Sequence, residues 1–264
     1  MTVSAPRYYG RTTTYSGDFS LTMTGSTNND SYGDNTFNGN VTINMGSSGR
    51  LRLANNVAND YNGNATFIKT AGTLHPAYNQ PSTFAGDINV NSNSQLYLAQ
   101  NNGTIIWDGS AAQSFNDLGA SGITLVRRMT LNNTSTGVTL NAPIEIPTTV
   151  TFTDGVLNTS TSGLVYIRDN ATVTGASDAS HVDGPIEKIG NDDFTFPTGD
   201  NGQYREIRIA SHSPNSSSGR FRAQYFEVDP TTNWAYGSAS YAAGIEHIST
   251  TEYWILDRVA GSNN

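Results

Sequence analysis

One short motif returns four times within the first 90 residues, and its spacing constrains the fold more than any other feature of the chain. It reads aromatic, any residue, Gly, Asp or Asn, apolar, polar, apolar, in Tyr15–Leu21, Phe37–Ile43, Tyr61–Phe67 and Phe84–Val90. The aromatic positions lie 22, 24 and 23 residues apart. A second apolar/polar element keeps step, in Leu51–Asn56, more loosely in Leu74–Asn79, and again in Leu96–Asn101. Each unit therefore holds two short alternating strands divided by Gly, Asn and Ser turns, and nothing between them has helical periodicity. A single unit cannot bury both strands. Stacked copies can, because each coil hydrogen-bonds to the coils on either side and closes an apolar interior.

The expected fold is thus all-β: a right-handed parallel β-helix with about 23 residues per coil, rising by about 4.8 Å per coil. Tyr15, Phe37, Tyr61 and Phe84, with Phe19, Val41, Ala65 and Ile88, are its expected inward core. Gly17, Gly39, Gly63 and Gly86 mark corners where positive φ is expected. Asp18, Asn40, Asn64 and Asp87 follow them in turn positions where a short polar side chain can bond its own backbone. Asn55, Asn56, Asn79 and Asn101 are placed to form a polar ladder along another turn.

From Gly103 to about Val182 the repeat blurs while short alternating strands continue. Near Gly184-Pro185 the strands lengthen, charge increases and the period is lost. Residues 1–182 are accordingly expected to form the solenoid, and 183–264 a β-sandwich-like domain that is incomplete at its C-terminal end.

Composition narrows the function classes. Charged residues make up only 14% of the 264, against roughly 25% in an average globular protein. The net charge of −8, with Lys only at Lys69 and Lys188, argues against a phosphate-backbone partner. The one adjacent basic pair, Arg127-Arg128, reads as a solvated turn or strand face. Cysteine is absent, which excludes disulfides and thiolate metal sites. No apolar run approaches the roughly 18 residues that a membrane-spanning helix needs.

The Phe37–Ile43 style of repeat with Leu51–Asn56, the stretch Val182–Gly190 followed by Phe194–Gly199, and Thr251–Arg258 together resemble the large secreted surface proteins of gliding and related Bacteroidota. The resemblance touches most of the chain from Tyr15 onward. It implies export by the type IX secretion pathway, an extracellular cell-surface location, and an adhesin-like or scaffold role in which the secretion machinery is one partner. It carries no catalytic motif onto these residues.

A polysaccharide lyase or hydrolase is the competing reading, since many are β-helices. Such enzymes need paired carboxylates, or an acidic calcium site with a basic residue. Asp18, Asp30, Asp34, Asp60, Asp87, Asp108 and Asp117 are scattered, and two of them share a turn position with Asn in sister copies. Asn191, Asp192 and Asp193, with Asp200 and Asn201, offer oxygen ligands for calcium across a loop, but their spacing fits no loop of the EF-hand kind and they read as two polar turns flanking Phe194–Phe196. His75, His181, His212 and His247 are too dispersed for a metal site by spacing. Trp107, Trp234 and Trp254, with Tyr8, Tyr9, Tyr236 and Tyr241, are candidates for stacking on sugars or for core packing. No regular Thr-x-Thr array is evident at the coil period. The expectation is therefore a segment with no catalytic, cofactor or metal residue, acting as a stalk or adhesive module with glycans or other surface proteins as partners. The alternative is a polysaccharide-active enzyme or a carbohydrate-binding module.

Overall fold

The computed structural model describes residues 1–119, 122–211, 219–232 and 249–261. Strand follows strand with almost no helix, and parallel sheets stack as a β-solenoid of about eight coils, about 23 residues apart. The solenoid has three sides. The first is an 11-stranded sheet that begins Thr2–Ala5, Phe19–Met23, Val41–Met45, Ala65–Lys69 and Ile88–Ser92. The second is an eight-stranded parallel sheet from Arg11–Tyr15 to Thr172–Thr174. The third side starts with Asn28–Asp30, Arg50–Arg52 and Thr73–His75, and continues from Tyr97–Ala99 through Thr124–Val126, Ile144–Ile146 and Val165–Ile167. A parallel bridge between Ala77 and Ala99 joins its two parts.

Alternation places the core. Along Phe19–Met23 and Val41–Met45 every second side chain is buried, as period-two geometry requires of a sheet with one dry face. In-register pairing then turns each inward position into a column. Phe19, Val41, Ala65, Ile88 and Phe115 follow one another on the first side. On the second side Tyr15 stacks on Phe37 with ring centroids 4.9 Å apart, Phe37 on Tyr61 at 4.9 Å, and Tyr61 on Phe84 at 4.7 Å. Trp107, Leu131 and Phe152 continue that column and are buried. Each aromatic pair adds about 0.5–1.5 kcal/mol beyond its buried area.

The corner glycines are required for a different reason from the one expected. Gly17, Gly39, Gly63 and Gly86 are not among the residues with positive φ, a conformation found instead at positions such as Gly33 (φ 104°). Their need is steric and lies between coils. A Cβ on Gly63 would fall 2.5 Å from the Gly39 carbonyl oxygen, and one on Gly86 would fall 2.6 Å from the Gly63 carbonyl. The first copy has no such constraint, and nothing lies within 4 Å of a Cβ on Gly17.

The polar residue after each glycine also acts between coils rather than on its own backbone. Asp18 Oδ1 accepts from the Asn40 amide at 2.9 Å, Asn40 Oδ1 from the Asn64 amide at 3.0 Å, and Asn64 Oδ1 from the Asp87 amide at 2.9 Å. Asp87 Oδ1 passes the pattern on to the Ser114 amide at 2.7 Å. The second ladder forms at its expected turn. Asn79 Nδ2 donates to Asn55 Oδ1 at 3.0 Å, Asn101 Nδ2 donates to Asn79 Oδ1, and Asn55 bonds Asn56.

The sheets do not break at the boundary expected after Val182. Val182–Asp183 pairs parallel with Thr198–Asp200, and Ile186–Ile189 pairs parallel with Val165–Ile167. The later strands Gln203–Tyr204, Arg220–Phe226 and Tyr253–Ala260 then add to these same sheets in antiparallel fashion. Lys188 sits at the inward position that follows Ile146 and Ile167 in register. Its fully buried ammonium is met by Asp192 at 2.7 Å and by the Arg168 carbonyl at 2.7 Å, the pairing a buried charge needs.

Candidate functional site

The long outward faces are polar and regular. On the second side, register aligns Thr14, Thr36, Asp60, Thr83, Ile106, Thr130, Thr151 and Thr174 in one column along the axis. A single-file threonine column at the coil period therefore exists, interrupted by Asp60 and Ile106. At its far end threonines also pair along one strand, Thr149 with Thr151 and Thr172 with Thr174. On the first side Asn116 Nδ2 donates to Asn89 Oδ1 at 3.0 Å, and Asn141 Nδ2 to Asn116 Oδ1 at 2.8 Å.

The carboxylates singled out from sequence are mostly engaged in holding coils together. Asp18 and Asp87 belong to the corner ladder. Asp30 pairs with Arg50 at 2.9 Å and Arg52 at 3.6 Å, Asp34 accepts from Thr12, and Asp60 from Thr83. Asp117 is raised above its ordinary value by burial, and accepts from the Gly119 amide. Asp108 is also raised, first by burial and then by the charge of Asp60. In the loop read for calcium, burial acts to raise Asp192, but the Lys188 ammonium overcomes it and holds the carboxyl low. Asp193 is held low by the Ser211 amide and by Arg208 at 2.8 Å. Among the described residues no group of three or more His, Asp or Glu is placed to hold a metal ion.

Of the histidines, His212 and His247 lie outside the described residues, as do Trp234, Tyr236 and Tyr241. Trp107 is core, Tyr8 packs over Phe19 with ring centroids 5.9 Å apart, and Tyr9 is 59% exposed. Trp254 packs on Tyr225 and donates to the Arg205 carbonyl at 3.2 Å. His181 is buried, with Nδ1 at 3.1 Å from the Ser177 carbonyl. His75 is buried beside the Tyr97 carbonyl, and burial lowers its pKa to about 4.

The sign of the His75 effect follows from where each state takes up its proton. The unfolded chain protonates this histidine near pH 6.5, whereas the folded chain does not until about pH 4. Its contribution to stability is complete above pH 6.5 and is lost as the pH falls towards 4. By pH 5 the loss should reach about 2 kcal/mol. Urea unfolding at pH 7.5 and pH 5 is expected to show His75→Gln losing that much less stability than the wild type over the interval. Equal losses in the two proteins would refute the assignment.

One concave feature lies on the third side, along the corner that follows its strands. Gln100, Arg127, Pro147 and Arg168 come directly after four successive strands of that side. Backbone bonds hold their coils in step, with the Arg127 amide donating to the Ala99 carbonyl at 3.3 Å and the Arg168 amide to the Ile146 carbonyl at 3.0 Å. Arg127 and Arg168 are thus two coils apart, roughly 10 Å along the axis. Two adjoining depressions of about 170 and 470 Å³ share Pro147 and Arg168. Tyr97, Gln100 and Arg127 line the first, while Glu145, Asp169 and Ile189 line the second.

The electrostatics of this furrow are uneven. Arg168 is paired with Glu145, an outward residue only 7% exposed. Arg127 is half-buried, and its Nε is buried without a hydrogen-bond partner. Its neighbour Arg128 instead donates to the Asn101 carbonyl at 2.5 Å. Asp169 has one oxygen bonded to Asn170 at 3.0 Å and the other buried without a partner. Sequence reading missed the furrow because its residues come from different coils. The available signal was the recurrence of arginine immediately after two of the strands.

Comparison with protein-family models, with curated proteins and with solved structures finds no match.

Proposed function

We propose that the chain is a non-enzymatic, stiff segment of a secreted bacterial cell-surface protein, serving as a stalk or adhesive module. The single observation carrying this reading is that the conspicuous polar residues are used to join coil to coil. The corner ladder from Asp18 to Ser114 and the amide ladder from Asn55 to Asn101 tie successive coils through side chains as well as backbone. Pulling such a rod apart must break these bonds along with the backbone pairing. The faces they leave outward carry regular hydroxyls and amides, which suit contact with glycans or other protein surfaces.

A second reading, a polysaccharide-active enzyme, has one observation in its favour. Asp183 is raised by burial and by the nearby charge of Asp200, an environment that suits a general acid. The two readings separate on incubation of the chain with acidic and neutral polysaccharides, with and without calcium. Retention of polymer at unchanged length is the result expected here. Sustained bond cleavage, abolished by Asp183→Asn, would replace this reading with the enzymatic one.

A further inference from the structure

We propose that the third-side furrow is a binding site for an acidic glycan, with the carboxylate of a uronic-acid unit held by Arg127; this names the ligand class of the adhesive reading and rests on it. In a chain of net charge −8 most cations are already satisfied. Arg50 and Arg52 face Asp30, Arg168 faces Glu145, Arg208 faces Asp193, and Arg220 and Arg222 face Glu187. Among the described residues Arg127 pairs with no carboxylate, yet it lines a concave surface. A half-buried guanidinium without a counter-charge lacks the anion that its planar fork is shaped to bind.

The rest of the furrow supplies what a sugar requires beyond charge. Tyr97 lines the same depression and offers a ring for apolar sugar faces. Gln100 adds an amide there. Asp169 lines the adjoining depression, where its carboxylate can accept from sugar hydroxyls. A free inorganic anion would satisfy Arg127 but leave Asp169 repelling it. A uronic-acid oligomer satisfies both, because it carries a carboxylate and hydroxyl donors on one chain. The roughly 10 Å between the two arginine coils matches a ligand about two sugar units long lying along the axis.

Calorimetry of the whole chain with a uronic-acid oligomer, and with a neutral oligomer of the same length, tests this assignment. The acidic oligomer is expected to bind at least about tenfold more tightly, and its affinity to fall as salt rises. Arg127→Gln should weaken it by about tenfold or more, the scale of one lost charged hydrogen bond. Arg127→Lys should recover part of that loss, and Arg128→Gln should change little. Thermal melts of all three variants identify any that fails to fold. The salt dependence of the wild type and the acidic-to-neutral ratio test the assignment without any variant. Equal binding of the two oligomers, no measurable binding of the acidic one, or an unaltered Arg127→Gln would overturn the furrow assignment and leave the stalk reading intact. Shortening of the bound oligomer would do the reverse.

Discussion

Alanine at Gly63 is expected to destabilise the chain by about 3 kcal/mol, while alanine at Gly17, the same position of the same motif, should change stability by less than about 0.5 kcal/mol. The contrast arises from what each new methyl meets. At Gly63 it would lie 2.5 Å from the Gly39 carbonyl oxygen and 2.9 Å from the Asn40 amide nitrogen, and at Gly17 it meets nothing within 4 Å. Backbone atoms cannot rotate out of the way as a side chain can, so the two coils must separate. Separation also stretches the bond from the Asn64 amide to Asn40 Oδ1, 3.0 Å in the intact protein. At about 2–4 °C per kcal/mol for a chain of this size, Gly63→Ala should melt roughly 6–12 °C lower. Matching melting temperatures for the two variants would show that these glycines serve their own turns and not the approach of coil to coil.

Phe37→Ala is expected to cost about 3–5 kcal/mol, the range for removing a buried ring from a core that cannot close around the gap. Phe37 is 1% exposed and lies between two rings, Tyr15 and Tyr61, each with its centroid 4.9 Å away. Neighbouring coils are fixed at the ordinary interstrand spacing, so the flanking rings cannot move together to fill the space. Urea unfolding should show a lower midpoint at unchanged slope. The exposed ring of Tyr9 provides the control, and Tyr9→Ala should stay within about 0.5 kcal/mol of the wild type.

The inward pattern was readable from sequence because it is local. Tyr15, Phe37, Tyr61 and Phe84 recur with the coil, and alternation within each strand decides which side chains turn inward. Apart from the Asn55–Asn101 ladder, what escaped reading was the set of interactions between residues 20 or more positions apart. A recurring corner glycine is compatible with positive φ and with a close backbone neighbour, and only the stacked coils distinguish the two. Likewise Asp18 looks able to bond its own turn, yet its partner is the amide of Asn40, 22 residues onward. The change in composition near Gly184 suggested a new domain, because composition reports strand length and charge. It does not report which strand pairs with which, and Thr198–Asp200 joins the sheet begun by Thr2–Ala5. The furrow was hidden for the same reason, since Arg127 and Arg168 meet along it only after two coils have closed.

In-register stacking of the coils is the claim on which the rest depends, and cysteine pairing tests it directly in a chain that has no cysteine of its own. Thr42 and Thr66 are partners on adjacent strands, while Ile68 is partnered by Asn44. Partnered positions lie within the roughly 4.4–6.8 Å between Cα atoms that a disulfide spans, and a two-residue offset lies beyond it. Mild oxidation should cross-link Thr42→Cys with Thr66→Cys nearly completely, and leave Thr42→Cys with Ile68→Cys open. Equal cross-linking of the two pairs, or none in the first, would contradict the stacked solenoid.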